Sequence, residues 1–445
     1  MAIHTTSTAL LVIAVLPVSV HAAEPPRAGS IYDPDATHLW NRLHTALFVR
    51  TTLDGKSVGH DEVDPLLWPA TAHLLRGASH DNAVKLLDEF LTSGGEKLIR
   101  DPVKRAVMQH DLWAVFEWSA NPQRKHYGAE EFPNARRALQ RRLALSVQQL
   151  APRAAAVNDL PDTYAAAVTS KAFAPAFDVE HPETPFLPPD LFDADGPWVC
   201  VGGPLDAPGP VALAHAKFHG GRSTFHVVIR LPGNRRATLD YLDRLNAYPT
   251  PWGIKPRQEN RRDPLELSAN IPQFPVGTQV ALVRQMILVT EAGTLVPTRI
   301  TESVQIRVFR NVGTERFTHE RGSQAFFEFA LNRHRLYAGQ RGGLHPVAAD
   351  KPAYLTLQYL TGAADPFETD QDHRFSMSTM ATCASCHTGS GIYSVNSYKR
   401  DFSTRPGRQL DLALWPTNAD DERKKALEWK QTSYEWGVLH GLLGK

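Results

Sequence analysis

Hydrophobic positions along the chain fall into three patterns. From Ala36 to Leu150 they recur at helical spacing. Leu39, Leu43 and Ala46-Leu47 share one face, and so do Ala83, Leu87 and Phe90, with Gly94-Gly95 as a stop. Asp101-Pro102 is a start signal, since aspartate can cap and proline fits the first helical position. The helix it opens runs through Met108, Trp113 and Phe116 and ends before Asn121-Pro122. A fourth helix uses Leu139, Leu143, Val147 and Leu150; its other face carries Arg136, Arg137, Arg141 and Arg142, which reads as a solvated surface. The proline-rich stretch 178–197 marks a boundary. Beyond it the period shortens to that of strands. Thr224–Ile229 is β-branched and aromatic, Val280–Val289 is an almost unbroken apolar run, and Val304-Gln305-Ile306-Arg307-Val308 alternates. Phe326–Phe329 and Tyr354–Leu357 predict two more strands, and a short helix is expected at Thr238–Leu245. The proline-bearing stretch 248–275 reads as a long loop. Near the end, Asn418 predicts the cap of one final helix, whose face of Ala426, Trp429, Ser433, Trp436, His440 and Leu443 would pack on a prosthetic group or on the β region.

The expected fold class is α+β. A helical domain spans residues 36–177, an antiparallel β-rich domain of sandwich or barrel-like form spans 198–362, and a mainly helical segment spans 365–445. A hydrophobic fraction of 42% supports real cores, and a net charge of +1 points to neither nucleic acid nor an anionic membrane as partner. No internal repeat and no glycine-rich phosphate loop is apparent.

Residues 1–22 read as a signal peptide. Ala9–Val20 is apolar but too short to span a bilayer, and Val20-His21-Ala22 offers a cleavage site that would leave Ala23 first. No later stretch is a membrane span, so the expected location is periplasmic or otherwise extracytoplasmic.

The strongest chemical signal is Cys383-Ala384-Ser385-Cys386-His387. C-x-x-C-H is the attachment signal for haem c. Two thiols one helical turn apart can each add across a haem vinyl group, and the adjacent imidazole can ligate the iron. The chain has 3 cysteines, so no second pair completes a zinc site. Through Cys383, Cys386 and His387 the segment resembles the c-type cytochromes. That resemblance implies one covalent haem c, His387 as proximal ligand, bacterial export and a redox partner protein. Class I members of that family have a methionine ligand downstream, whereas no methionine follows His387 here. Met377, His440, a ligand from the preceding domains and an open site all remain candidates for the sixth position. The expectation is that neither His440 nor Met377 alone fixes the spin state. Arg400, Arg405 and Arg408 could neutralise the propionates, and the acidic stretch Asp365, Glu368, Asp370 and Asp372 lacks the spacing of a calcium loop.

Other candidates read as structural. Cys200 is a lone, core-type thiol. His215 and His219 have i,i+4 spacing without a zinc-protease pattern. Trp113, Trp118, Trp415, Trp429 and Trp436 read as core residues. Three functions follow: a mono-haem electron-transfer protein; a haem enzyme or sensor with an open sixth position; and an extracytoplasmic binding protein whose β-rich domain recognises its partner.

Overall fold

The computed structural model describes residues 30–61, 65–68, 71–121, 132–202, 211–248, 252–254, 265–267, 270–312, 323–347, 365, 367–368, 391–395 and 414–444. The fold is α+β, with helices at both ends of the chain and an antiparallel sheet between them.

The helical pattern produces α1 (Leu39–Phe48), α2 (Gly77–Thr92), α3 (Pro102–Ala120) and α4 (Pro133–Leu150). Asp101 caps α3 by accepting from the Val103 and Lys104 amides, with Pro102 in the first turn. From Ala106 to Ala120 every α3 residue is buried, polar ones included. A helix covered on all sides lies at the centre of a fold. The arginines of α4 are less solvated than their spacing suggests. Arg142 makes a bidentate pair with Asp88 at 2.8 and 2.9 Å, and Arg136 donates to the Ser119 carbonyl.

Among the described residues the central sheet has seven strands in the order β10-β9-β8-β7-β4-β3-β11. These are β3 (Val199–Gly202), β4 (Ser223–Arg230), β7 (Gln279–Val289), β8 (Leu295–Phe309), β9 (Gln324–Leu331), β10 (Leu344–Pro346) and β11 (Trp415–Thr417). Every neighbouring pair is antiparallel. Among the described residues it is one open sheet, not the expected sandwich or barrel, because helices and loops cover its faces. On one face Phe225, Val227 and Ile229 pack under α7 (Val211–Phe218), α8 (Arg235–Asn246) and Ala426. On the other, Val228, Val283, Val304 and Ile306 pack under α6 (Thr163–Thr169), Phe186, Leu187, Leu191 and Trp198.

The long β7–β8 hairpin leaves the sheet and enters the helical region. Ile287, Val289 and Leu295 join the core of α1–α4. Met286 and Leu288, which alternate with them, pack on Ala106, Val107, Val157 and Leu160. Both faces of this hairpin end are therefore buried, which explains the continuous apolar run in the sequence.

Within the stretch read as a loop, β5 (Trp252–Ile254) and β6 (Leu265–Leu267) pair antiparallel. A small antiparallel pair, β1 (Arg50–Thr51) and β2 (Ser57–Val58), follows α1. The expected strand Tyr354–Leu357 lies outside the described residues.

The C-terminal part is built into both regions. β11 adds to the edge of the sheet. The expected final helix is instead two, α10 (Ala419–Gln431) and α11 (Tyr434–Leu442). Thr432 closes the first, and Ser433 caps the second by accepting from the Trp436 amide, the local competition that makes serine a helix punctuator. The break changes what the face packs on: Ala426 lies over the sheet, whereas Trp436, Leu439 and Leu443 enter the α1–α4 core. Trp415, expected in the core, is exposed, because it sits on the edge strand.

Candidate functional site

The sequence-predicted haem residues Cys383, Cys386 and His387 lie outside the described residues, as do Met377, Arg400, Arg405 and Arg408. The described residues that flank them are anchored at two places. Upstream, Arg50 reaches Asp365 at 2.8 Å, donates to the Leu66 carbonyl and lies over the Phe367 ring at 4.6 Å. Arg50 and Asp365 are almost fully buried. Glu368 accepts from the Thr71 hydroxyl at 3.0 Å. Two members of the acidic stretch thus serve as ion-pair and hydrogen-bond partners of the helical region. Downstream, the short 3-10 turn Gly391–Ser394 lies against the sheet. Ile392 donates its amide to Gln273 at 2.7 Å, and Arg307 reaches the Ser394 hydroxyl at 3.0 Å. A side chain at Gly391 would collide with Gln273 and Val312, and its φ of 52° also suits glycine. His440, a sixth-ligand candidate, is half-buried on α11 with its ring 5.8 Å from that of Trp436.

A chain of buried charges runs where α3, the sheet and α10 meet. Glu117 of α3 pairs with Arg222 at 3.2 Å and with Lys430 of α10. Lys430 also donates to the Gly220 carbonyl and lies over the Trp113 ring at 5.4 Å. Farther along α3, His110 lies 3.7 Å from Glu302, and Arg284 meets the same carboxylate at 3.1 Å. Arg284 stands at a register shift between β7 and β8, where a bulge re-aims side chains. Asp111 binds Arg333 at 2.6 Å, both fully buried. Burial opposes the Arg333 charge, but the attraction of Asp111, with Tyr32 and Tyr337, holds its pKa above the ordinary value. These pairs lock the helices onto the sheet.

A cavity of about 460 Å³ opens beside the same bulge. Its wall combines the sheet face of Cys200, His226, Val228 and Gln285 with Phe192 and the start of α10. Asp162, Asp193, Arg235, Arg299, Asp420 and Arg423 supply its charges. His226 is fully buried, and neither ring nitrogen has a hydrogen-bond partner of good geometry. Its ring meets Phe192 edge-on at 6.0 Å. Burial lowers its pKa to about 3, with Arg423 acting in the same direction and Gln285 opposing, so the imidazole is neutral at neutral pH. Burial raises the Cys200 thiol to about 12, which makes it a protonated, unreactive wall. Arg423 is held by Asp420 at 2.7 Å and by Gln285 at 3.3 Å.

Of the cavity residues, the sequence marks Cys200 as a lone thiol and Asn418 as a helix cap, neither as part of a site. His226 has a signal in hindsight: it occupies a core-facing position in the apolar alternation of β4. The others come from segments far apart in the chain. His215 lies on α7 and His219 just beyond it; both rings stack on Phe225, at 5.8 and 5.1 Å, and face a hydrophobic core.

No protein-family model matches the chain, and no curated protein or solved structure matches it either.

Proposed function

We propose that this protein is an exported mono-haem c protein that exchanges electrons with a redox partner protein. The observation that carries the reading is Cys383-Ala384-Ser385-Cys386-His387. The donor set fits the group: two thiols at thioether spacing and an imidazole beside the second. Cys383 and Cys386 would hold the porphyrin edge covalently, and His387 would be the proximal iron ligand. The bound haem would supply a one-electron couple. Residues 1–22, read as an export signal, support the same conclusion, since bacterial haem c is attached outside the cytoplasm. Among the described residues no helix is long and apolar enough to cross a membrane. The anchored flanks, Arg50–Asp365 on one side and Gln273–Ile392 on the other, support a haem segment carried on the body of the fold.

The test is expression in a host that matures haem c, followed by denaturing electrophoresis and haem staining. The stain is expected with the intact chain and absent from the Cys383→Ala/Cys386→Ala variant. A stain that persists in that variant refutes the attachment. N-terminal sequencing of exported protein should begin at Ala23, and a chain still beginning at Met1 overturns the export reading.

One observation favours a haem enzyme or sensor over a pure carrier. No methionine follows His387, and His440 packs on Trp436 of its own helix. Oxidised and reduced spectra of His440→Ala and Met377→Ala decide the ligand. A high-spin spectrum in the intact protein that shifts with carbon monoxide supports the open site.

A further inference from the structure

We propose that the cavity beside His226 binds a small hydroxycarboxylate, taking its carboxylate on Arg235 and Arg299 and its hydroxyl on the His226 imidazole. The inference rests on the described residues alone and is independent of the haem reading.

The charges that line the cavity differ in what they already hold. Arg423 is committed to Asp420 and Gln285. Asp162 accepts from the Ala165 amide at 2.9 Å, and Asp193 from the Asp195 amide at 3.1 Å, so both carboxylates are already stabilised by backbone donors. Arg235 gives Nη1 to the Gly196 and Trp198 carbonyls and pairs with no carboxylate among the described residues. Arg299 is exposed and likewise pairs with none. Arginines that keep donors in a fork suit a carboxylate. The first turn of α10 adds little, since Asn418 caps it and Asp420 and Asp421 already neutralise its dipole.

His226 decides the second half of the ligand. A neutral imidazole has one donor nitrogen and one acceptor nitrogen. Left dry, each would carry a desolvation cost. A ligand hydroxyl can donate to the bare nitrogen or accept from the protonated one, whichever faces the cavity, whereas a carboxylate can only accept. Phe192, Leu191 and Val228 provide apolar wall for the carbon skeleton. The volume lies within the range of small-molecule sites.

The experiment is calorimetric titration of the full-length protein with two pairs of acids: malate against succinate, and citrate against tricarballylate. Each pair differs by one hydroxyl. At least one hydroxy acid is expected to bind saturably, about tenfold or more tighter than its deoxy partner. Arg299→Gln, a surface change that leaves the core untouched, should weaken that binding about tenfold. His226→Phe should abolish the preference for the hydroxyl while circular dichroism stays native. If His226→Phe does not fold, the Arg299→Gln titration and the paired acids still decide. No saturable binding by any of the four acids up to about 10 mM, a dissociation constant worth less than about 3 kcal/mol, overturns the proposal. So does equal affinity for the hydroxy and deoxy acids, or binding unchanged by Arg299→Gln.

Discussion

Replacing Asp111 with Asn should destabilise the protein severely without changing its shape. The substitution is nearly isosteric, so the packing around α3 is preserved and only the charge is lost. Arg333, fully buried, is then left without its counter-charge. At 2.6 Å and an effective dielectric of about 20, the gross attraction of the pair is roughly 6 kcal/mol. Part of that offsets desolvation, and breaking one side of such a pair costs about 3–5 kcal/mol. With a urea slope of about 2–3 kcal/mol per molar, the unfolding midpoint should fall by about 1–2.5 M. The control is Asp111→Leu with Arg333→Met, which removes both charges and should recover most of the loss. A midpoint shift for Asp111→Asn below about 0.2 M would mean that the pair is not buried as charged groups, and the reasoning would fail. A double variant no more stable than the single one would fail it equally.

Glu328 on β9 has its carboxyl pushed up to about 8 by burial, against a hydrogen bond from Gln305. The folded state then keeps a proton that the unfolded chain releases, so stability should fall as pH rises from about 4.5 to about 8, and Glu328→Gln should flatten that slope in urea titrations at each pH. His215 has the opposite sign of dependence: burial first, then Arg307, lowers its pKa to about 4, so stability should fall as pH drops from about 6.5 toward 4, by up to about 1.4 kcal/mol per unit. His215→Phe should remove that component, and an unchanged acid limb would contradict the burial. At Gly342, φ is 59° and a Cβ would lie 1.8 Å from the Thr163 carbonyl oxygen, so Gly342→Ala should cost at least about 2 kcal/mol by thermal or chemical unfolding.

Elements with local causes were legible in the sequence. Asp101-Pro102 announces α3, Asn418 announces α10, and the alternation from Val304 to Val308 announces β8, because caps and face periodicity are written within a few residues. Elements with non-local causes were not. β3 and β11 are a few residues each, and β11 contains Pro416, so nothing but the neighbouring strand makes them strands. The apolar run of β7 showed that both faces are covered but not by what; the helical core takes one face of its end. Val211–Phe218 had the composition of a helix, yet the flanking Pro210 and Gly220-Gly221 obscured it. The division between Gln431 and Tyr434 is hidden in the sequence because the apolar spacing continues across it. The cavity was illegible for a different reason. Its charges look like ordinary surface residues, and it takes the pairing of Thr417 with Cys200 and the contact of Arg423 with Gln285 to bring the start of α10 to the cavity.

The entry of Trp436, Leu439 and Leu443 into the core of α1–α4 sets an order of events during synthesis. At about 5–20 residues per second, roughly 15–60 s separate the synthesis of Leu150 from that of Leu443. The first four helices are therefore made well before three of the side chains that cover them. Trp113 and its neighbours stay partly uncovered for that interval. A chain of this kind gains from being held unfolded by a chaperone rather than folding as it emerges, and a premature stop near residue 430 should yield an aggregating product rather than a smaller working one.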